Sequence, residues 1–383
     1  MNFAMMPLDN NQKAFFELVK AGLWADAEST ELRIQGFTES VDWEEVYQLA
    51  AEQSVAGIVL AGIDWFKVHD SRFTVPQEVL LQMIGEVQMI EQQNVAMNTF
   101  VAQLIEKLRK EDVYAILVKG QGITQCYERP LWRASGDVDL LLSDQNYEKA
   151  KKVLLPWAID VETEYKSLKH LGMTLKDGFV VELHGTMNSR LSKRIDKGID
   201  EAVNNVFFGG NVRSWQNGVT QVFLPGVDDD LIFIFTHILH HFYIEGIGLR
   251  QICDWCRLLW TYRDSLNHGL LEKQIRKMGL MSEWKAFGAF AVEYLGMPVE
   301  AMPFYDVRGK MEEGRWRKKA ERIMESVLES GNFGHNRQMA KGKIRSAWFK
   351  AKDFAWHTRI FPLDSVKFFF HFLMNGIQLE IEK

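Results

Sequence analysis

Residues 115–142, AILVKGQGITQCYERPLWRASGDVDLLL, predict the centre of the fold. Residues 115–118 form an apolar run of strand length, which ends at Lys119-Gly120-Gln121-Gly122, where the glycines permit a tight backbone turn. Residues 136–142 form a second apolar run of strand length, and this run carries carboxylates at two alternate positions. The stretch therefore predicts a strand, a glycine turn, a helix and a second strand.

The two carboxylates, Asp137 and Asp139, are expected on one face of the second strand, because side chains two residues apart point the same way. Two such charges on an apolar strand repel each other and are costly to bury. A divalent cation offsets that cost well. The alternative is a pair of surface residues on an edge strand.

A third carboxylate, Glu182, lies in another strand-like run, residues 179–184. The Asp177-Gly178 pair before it is typical of a β-hairpin turn, with residues 170–175 as the partner strand. If this hairpin lies beside the strand of Asp137, Glu182 can join the two aspartates. Three carboxylates supply the hard oxygen ligands that suit Mg²⁺. The alternatives for Glu182 are a proton acceptor and an exposed strand residue.

Together these motifs resemble the nucleotidyltransferases of the DNA polymerase beta superfamily, and within it a poorly characterised bacterial branch. That branch has a lysine-glycine turn, then tyrosine, proline and arginine, then D-x-D, and finally E-L-H. In this sequence the motif positions are Lys119, Gly120, Tyr127, Pro130, Arg133, Asp137, Asp139, Glu182 and His184. The resemblance is tight over residues 115–184 and looser over residues 228–259. The wider superfamily usually has glycine-serine at the turn, whereas this chain has Gly120-Gln121-Gly122.

The resemblance implies an enzyme that depends on Mg²⁺ (or Mn²⁺) and moves a nucleoside monophosphate from a nucleoside triphosphate such as ATP to a hydroxyl group. Asp137, Asp139 and Glu182 would be both the catalytic residues and the metal ligands. A second set would bind the nucleotide, and it consists of Lys119, Gly120, Gly122, Arg133 and His184. Lysine and arginine suit phosphate oxygens, and free N–H groups at a glycine turn suit an anion.

Several of these residues could instead have simpler roles. Lys119 and Arg133 could be solvated surface charges, and His184 a core histidine that supports the site. The missing turn serine favours a second hypothesis, a catalytically inactive nucleotide-binding or regulatory protein of the same fold. A third hypothesis is an assembly role for the aromatic C-terminal region, which includes Phe368-Phe369-Phe370 and would pack on the body or on a second subunit.

Length and composition limit the remaining classes of function. The chain has 383 residues, of which 47% are hydrophobic and 25% charged, as in ordinary soluble proteins. A net charge of -6 without a strongly basic run argues against a nucleic-acid partner. Three cysteines, no signal peptide and no long apolar stretch indicate the cytoplasm and no membrane. The acceptor is open among a small molecule, a sugar and a protein, and a homo-oligomer is an option.

The predicted fold class is α+β, a small nucleotidyltransferase-type mixed sheet with helices, embedded in a largely α-helical chain. The predicted regions are an N-terminal helical region at 1–110, the catalytic domain at 111–226 and a C-terminal helical region at 227–383. Apolar spacing predicts helices over residues 11–23 and 41–65, and one helix about 50 Å long over 76–108. Further helices are predicted over residues 145–155, 189–206, 228–243, 248–262, 270–277, 282–295 and 309–328, with a strand over 219–224.

The end of the chain is less regular. Residues 331–342 are polar and contain glycine, which predicts a mobile loop. Residues 344–377 are rich in Trp and Phe, and Asp364 is expected to cap a last helix.

Two groups on the predicted C-terminal helices are interpreted as core residues. His237 and His241 share a helix face, beside His240, at a spacing that can bind zinc, but the glutamate of the metalloprotease motif is missing. Cys253 and Cys256 form a C-x-x-C without a second pair.

Three further residues are ambiguous from the sequence. Arg250 and Asp254 resemble positions of the family's helical part, and either an intrahelical ion pair or a contact with nucleotide or acceptor accounts for them. Tyr127, on the helix after the glycine turn, is interpreted as a packing residue.

Overall fold

The computed structural model describes residues 8–24, 40–164, 168–305, 310–331 and 343–382. Within these ranges the chain is mostly helical and contains one mixed seven-stranded sheet, so the predicted α+β class is confirmed. No helix in the described ranges is long and apolar enough to cross a membrane. The predicted mobile loop lies outside the described residues, apart from its first residue. The predicted division into three regions stays a prediction.

The sheet is built around the two strands predicted at its centre. Its strands are β1 Ala115–Val118, β2 Asp137–Leu142, β3 Ala158–Val161, β4 His170–Leu175, β5 Val180–His184, β6 Val212–Asn217 and β7 Thr220–Pro225. They lie side by side in the order β3-β4-β5-β2-β1-β7-β6. β4 and β5 form the predicted hairpin, with Gly178 at a φ of +83° in its turn. β5 runs parallel to β2, and this pairing sets Glu182 opposite Asp139.

Helices precede, interrupt and follow the sheet. They are α1 Asn10–Leu23, α2 Trp43–Glu52, α3 Ala56–His69, α4 Gln77–Lys110, α5 Gly120–Thr124, α6 Asp144–Leu154, α7 Lys193–Phe208, α8 Val227–Ile244, α9 Leu249–Thr261, α10 His268–Met278, α11 Met281–Leu295, α12 Lys310–Ser330, α13 Lys343–Ile360 and α14 Pro362–Glu382. Most of them match the predicted helices within a few residues. The apolar spacing of three and four residues therefore located the helical part of the fold well.

The two faces of the sheet pack against different hydrophobic clusters. One face, with Leu140 and Leu183, packs with residues of α4 and α6 such as Leu104. The other face contributes Val118 and Leu141 to a larger cluster formed mainly by helices from both ends of the chain. Asp137 and Asp139 alternate with Val138 and Leu140, so they lie on this second face, toward the C-terminal helices.

The prediction of one helix over residues 41–65 is wrong. α2 and α3 are separate helices, and Ser54 between them has a φ of +55°. Gln53 is completely buried there, and hydrogen bonds satisfy its side-chain amide. The amide nitrogen donates to the Val327 carbonyl at 2.9 Å, and the amide oxygen accepts from the Leu249 N–H at 2.9 Å. Both bonds reach distant parts of the chain, so local apolar spacing cannot reveal this break.

Two smaller predictions also need correction, and two strands were not predicted. The sequence pattern did not indicate β3 and β6, which are edge strands with mostly exposed or half-buried residues. Asp364 does not cap the last helix, because α14 begins at Pro362 and Asp364 lies in its first turn. Tyr127 lies beyond the end of α5, not on it. Of the aromatic run, Phe368 packs on the body against Tyr243 of α8, with ring centroids 4.9 Å apart.

The long helix α4 supports the segment that links β1 to β2. It has 34 residues, which gives a length of about 51 Å, close to the prediction. Asn94 interrupts its apolar stripe and is buried. The Asn94 side chain donates to the carbonyls of Leu131 and Arg133, each at 2.8 Å, and accepts from Gln121 Nε2 at 2.8 Å. This polar residue therefore holds both ends of the β1–β2 connection.

A buried acid in the helical part makes stability depend on pH. Glu283 of α11 is completely buried, and burial raises its pKa from 4.5 to about 8. Its Oε1 accepts from the Tyr243 hydroxyl at 3.3 Å, and the charges of Lys319 and Asp364 act on it. A carboxyl group whose pKa is raised by folding stabilises the fold fully below its unfolded pKa, and this stability is lost as the pH rises through the folded pKa.

We predict that Glu283→Gln removes this loss. Relative to the variant, the wild-type free energy of unfolding should fall between about pH 4.5 and about pH 8, by on the order of 1–4 kcal/mol, and stay level above that. Urea denaturation of both proteins across this pH window measures the difference. Glu300→Gln, at an exposed position, should follow the wild type at every pH. If the free energies of unfolding of Glu283→Gln and wild type changed in parallel with pH, the raised pKa of Glu283 would be contradicted.

Candidate active site

Strands β1, β2, β4 and β5 bring charged and imidazole side chains together on one face of the sheet. We call this group the carboxylate–histidine cluster; it consists of Lys119, Asp137, Asp139, His170, Glu182 and His184. The strand registers account for it, because Asp139 is opposite Glu182, and His184 is opposite His170. The structure therefore brings together the three carboxylates singled out from the sequence. It adds one residue that was not predicted, His170.

The cluster is held by short contacts centred on two carboxylates. Lys119 Nζ and His184 Nε2 each lie 2.7 Å from the same oxygen, Oδ1 of Asp139. On the neighbouring strand, Glu182 Oε2 lies 3.1 Å from His170 Nε2 and 3.4 Å from His184 Nε2. His184 therefore connects the two carboxylates. Lys119, expected at a phosphate, contacts a carboxylate in this structure.

Burial raises the pKa of each of the three carboxylates of the cluster, and neighbouring charges and hydrogen bonds act on top of it. Burial alone would raise the pKa of Asp139, but Lys119 and His184 outweigh it and hold this pKa below its ordinary value. The pKa of Glu182 is also lowered, against burial, chiefly by the neighbouring imidazoles of His170 and His184. Asp137 differs, because burial and the negative charge of Asp139 both raise its pKa. Its carboxylate is thus the one least compensated by nearby positive charge.

The backbone at the glycine turn is unusual. Lys119 has a φ of +55° and Gly120 a φ of +30°, and positive values are costly for a residue with a side chain. Gly122 has a packing role, because a Cβ there would lie 2.9 Å from Leu224 Cδ2 of β7. The turn therefore lets α5 lie close to the sheet while the Lys119 side chain reaches Asp139. Binding of phosphate by Gly120 and Gly122 stays a prediction.

A cavity of about 870 Å³ opens in front of the cluster. The sheet forms one wall, and α8 and α9 form the opposite wall. His237 and His240 of α8 are half-buried and line it, so their interpretation as core residues is wrong, whereas His241 lines it but is buried. Cys253 and Cys256 are buried free cysteines, as expected.

The histidines of α8 are joined by hydrogen bonds. His241 Nε2 lies 3.0 Å from His237 Nε2, and His241 Nδ1 lies 2.9 Å from Glu245 Oε2. His240 Nδ1 donates to the Ser189 carbonyl at 2.7 Å. Burial lowers the pKa of His237 well below its ordinary value, so this imidazole is neutral near pH 7. The helical wall therefore offers polar groups to a bound molecule.

Arg133 joins the β1–β2 connection to α9. Its Nε donates to Asp254 Oδ1 at 3.0 Å and its Nη2 donates to Asp254 Oδ2, a bidentate pair in which both side chains are buried. The Tyr127 hydroxyl donates to the same Oδ1 at 2.8 Å. Arg250 of α9 donates to the Ala134 carbonyl at 2.9 Å. Arg133 lines the cavity, but its guanidinium is engaged by Asp254, so direct phosphate contact by Arg133 stays a prediction.

The sequence contained a signal for His170 that the motif comparison did not use. The Asp177-Gly178 turn fixes the hairpin register, and in that register His170 must pair with His184. The same face extends to Glu162, whose N–H donates to the Gly172 carbonyl at 2.9 Å. A Cβ at Gly172 would lie 2.6 Å from Glu162 Oε2, so this carboxylate fills the space that the glycine leaves.

A family model described as an uncharacterised nucleotidyltransferase matches residues 39–296, more than half of the chain. The chain belongs to this family. The matched residues contain the whole sheet, the carboxylate–histidine cluster and the helical wall of the cavity. No curated protein and no solved structure matches the chain. Membership of the family supports nucleotidyl transfer as the class of activity and a nucleotide as substrate.

We predict that the buried Arg133–Asp254 pair holds the cavity wall. Asp254→Asn should cost about 3–5 kcal/mol of unfolding free energy, because it leaves a buried guanidinium without its counter-charge. With Arg133→Met the double-mutant cycle should give a coupling energy of about 1–3 kcal/mol in urea denaturation. The exposed pair Arg129–Asp64 is the control, and the matching cycle there should give less than about 1 kcal/mol. Equal coupling in both cycles would contradict this role.

Proposed function

We propose that the protein is a Mg²⁺-dependent nucleotidyltransferase, which moves a nucleoside monophosphate from a nucleoside triphosphate to a hydroxyl of an acceptor. One observation carries the proposal: Asp137, Asp139 and Glu182 share one sheet face inside a cavity of about 870 Å³. That volume lies within the range of about 300–1,000 Å³ typical of small-ligand sites. The family membership supports the same reaction class.

The residues present fit a divalent metal ion. Three carboxylates supply oxygen donors, which suit Mg²⁺, and Mn²⁺ accepts the same donors. Burial and the negative charge of Asp139 raise the pKa of Asp137. A bound cation relieves the repulsion between these two carboxylates. When bound, such an ion neutralises phosphate charge and activates the attacking hydroxyl.

The residues of the chain have separable roles in this reaction. A bond forms between the acceptor oxygen and the α-phosphorus, and the bond from that phosphorus to the pyrophosphate oxygen breaks. Asp137 and Asp139 hold the metal, while Glu182 either holds it or accepts the hydroxyl proton. Lys119 balances the charge of Asp139 and Arg133 that of Asp254, so a phosphate would share either cation with its carboxylate. Catalysis then rests on positioning and charge neutralisation.

The helical wall of the cavity is where we place the acceptor. α8 and α9 face the cluster across the cavity and present histidine, arginine and glutamine side chains. Polar groups of this kind suit a hydroxyl-bearing acceptor, which we leave among a small molecule, a sugar and a protein. The proposal also includes ATP as a candidate donor and a place in the polymerase beta superfamily. It further includes a cytoplasmic location and assembly as a homo-oligomer.

A second candidate function is nucleotide binding without turnover. It is favoured by the residue at the glycine turn, where the wider superfamily usually has serine. Gln121 occupies this position, and its side-chain nitrogen donates to Asn94 Oδ1 at 2.8 Å in the interior. This side chain is 1% exposed and therefore offers nothing to a phosphate.

We predict that each nucleoside triphosphate that binds does so only with Mg²⁺, as measured by titration calorimetry of the purified protein. The double variant Asp137→Asn with Asp139→Asn should lose this binding, because it removes two oxygen anions that hold the metal. Asp177→Asn is the matched control, since it makes the same change in the hairpin turn and should bind as the wild type does.

The outcomes separate the two functions. Metal-dependent binding that the double variant loses supports the transferase, and pyrophosphate release in a screen of acceptors completes the case. Binding that persists without metal supports the binding protein. A folded wild type that binds no nucleoside triphosphate under any of these conditions would contradict both.

A further inference from the structure

We infer that His170, Glu182 and His184 form a metal position of their own, which takes a first-row transition-metal ion such as Mn²⁺ or Zn²⁺ in preference to Mg²⁺. This inference deepens the proposed function, because it gives the site a nitrogen-rich position beside Asp137 and Asp139. The metal site itself can be measured without nucleotide or turnover.

The distances from each imidazole nitrogen to the Glu182 oxygen match the spacing of ligands in a coordination shell. His170 Nε2 and His184 Nε2 lie 3.1 Å and 3.4 Å from Glu182 Oε2, and all three atoms lie within 4.8 Å of one another. Ligands about 2.1 Å from one metal ion are about 3.0–3.4 Å apart in octahedral or tetrahedral geometry. The side chains therefore need only small movements to bind one ion.

His170 Nε2 hydrogen-bonds to Glu182 and His184 Nε2 to Asp139, but the close contact of His184 with Glu182 has no hydrogen bond of its own. His184 Nε2 faces two carboxylate oxygens, Asp139 Oδ1 at 2.7 Å and Glu182 Oε2 at 3.4 Å, and His170 Nε2 also points at Glu182 Oε2. One ring nitrogen carries at most one proton, so it cannot donate along both directions. A cation between imidazole nitrogens and carboxylate oxygens interacts favourably with all of them.

The donor types decide the class of ion. Two imidazoles and one carboxylate are the ligands used for Zn²⁺, Fe²⁺ and Mn²⁺, whereas Mg²⁺ prefers oxygen donors and keeps several waters. The carboxylates of Asp137 and Asp139, by contrast, suit Mg²⁺. The cluster thus contains an oxygen-rich part on β2 and a nitrogen-rich part on β4 and β5, and Glu182 of β5 pairs with Asp139 of β2.

The supporting structure is rigid and open on one side. His170 and His184 are a cross-strand pair of the β4–β5 hairpin, with ring centroids 4.8 Å apart. His170 and Glu182 are each about a third exposed, so an ion and its waters can enter from the cavity. The Glu162 carboxylate, over Gly172 on the same face, adds negative charge nearby.

The test is pulsed electron paramagnetic resonance of Mn²⁺ bound to the full chain, without nucleotide. We expect ¹⁴N modulation from directly bound imidazole in the wild type. It should disappear in His170→Gln with His184→Gln, because Mn²⁺ that stays at the carboxylates of Asp137 and Asp139 has no imidazole ligand. The control His268→Gln, at an exposed position, should leave the modulation unchanged. His170→Gln alone, at the half-exposed histidine, is the fallback if the double variant does not fold.

Two results would overturn the inference: no ¹⁴N modulation in the folded wild type, or imidazole modulation that survives in the folded double variant. If only His170→Gln folds, the second result is instead a modulation as strong as in the wild type, because the inference expects one of two bound imidazoles to be lost. Neither result depends on nucleotide. If the wild type shows imidazole-bound Mn²⁺ but binds no nucleoside triphosphate, the proposed function fails and the metal position stands. If nucleotide binds with Mg²⁺ and no ¹⁴N modulation is found, the metal position fails and the proposed function stands.

Discussion

The buried negative charge of Asp139 is the constraint that the rest of the site satisfies. The residue is 2% exposed, and a buried carboxylate without compensation costs several kcal/mol. Lys119 and His184 both contact one of its oxygens at 2.7 Å. Lys119 directly follows β1 and reaches this oxygen from a backbone with positive φ, a strain on the order of 1–3 kcal/mol. The glycine turn and the histidine on β5 thus each place a partner on this buried carboxylate.

The cavity depends on a second set of buried polar contacts. Arg133 and Asp254 join the β1–β2 connection to α9, and Asn94 joins the same connection to α4. Apolar packing alone fixes the distance between layers but tolerates sliding, whereas these bonds have defined partners and directions. The sheet wall and the helical wall are therefore held in one relative position. A site that acts by orienting a triphosphate against an acceptor needs this rigidity.

The sequence predicts the elements of both walls well but not the side-chain contacts between them, for physical reasons. β1, β2, β4 and β5 are marked by local features, namely apolar runs, glycine turns and the period of two that sets Asp137 and Asp139 on one face. Contacts between distant segments leave no such mark. Asp254 meets Arg133 across 121 residues, and nothing in the local pattern of either residue indicates that pairing.

The α8 histidines illustrate the same limit. Their spacing along the helix is readable from the sequence, but whether their face meets the core or a cavity depends on what packs there. For His170 the sequence predicts one property and not the other. Its pairing with His184 follows from the hairpin turn, but its contact with Glu182 is visible only in the structure. Patterns along one element are thus predictable, and the side-chain partners between elements are not.

The most direct test of this account is a crystal structure of the protein with Mn²⁺ and a non-hydrolysable nucleoside triphosphate, read by anomalous diffraction. The account predicts an anomalous peak about 2.2 Å from carboxylate oxygens of Asp137 and Asp139, with the triphosphate in the cavity between the sheet and α8. A nucleotide bound elsewhere, or the absence of manganese at these two carboxylates, would contradict the account.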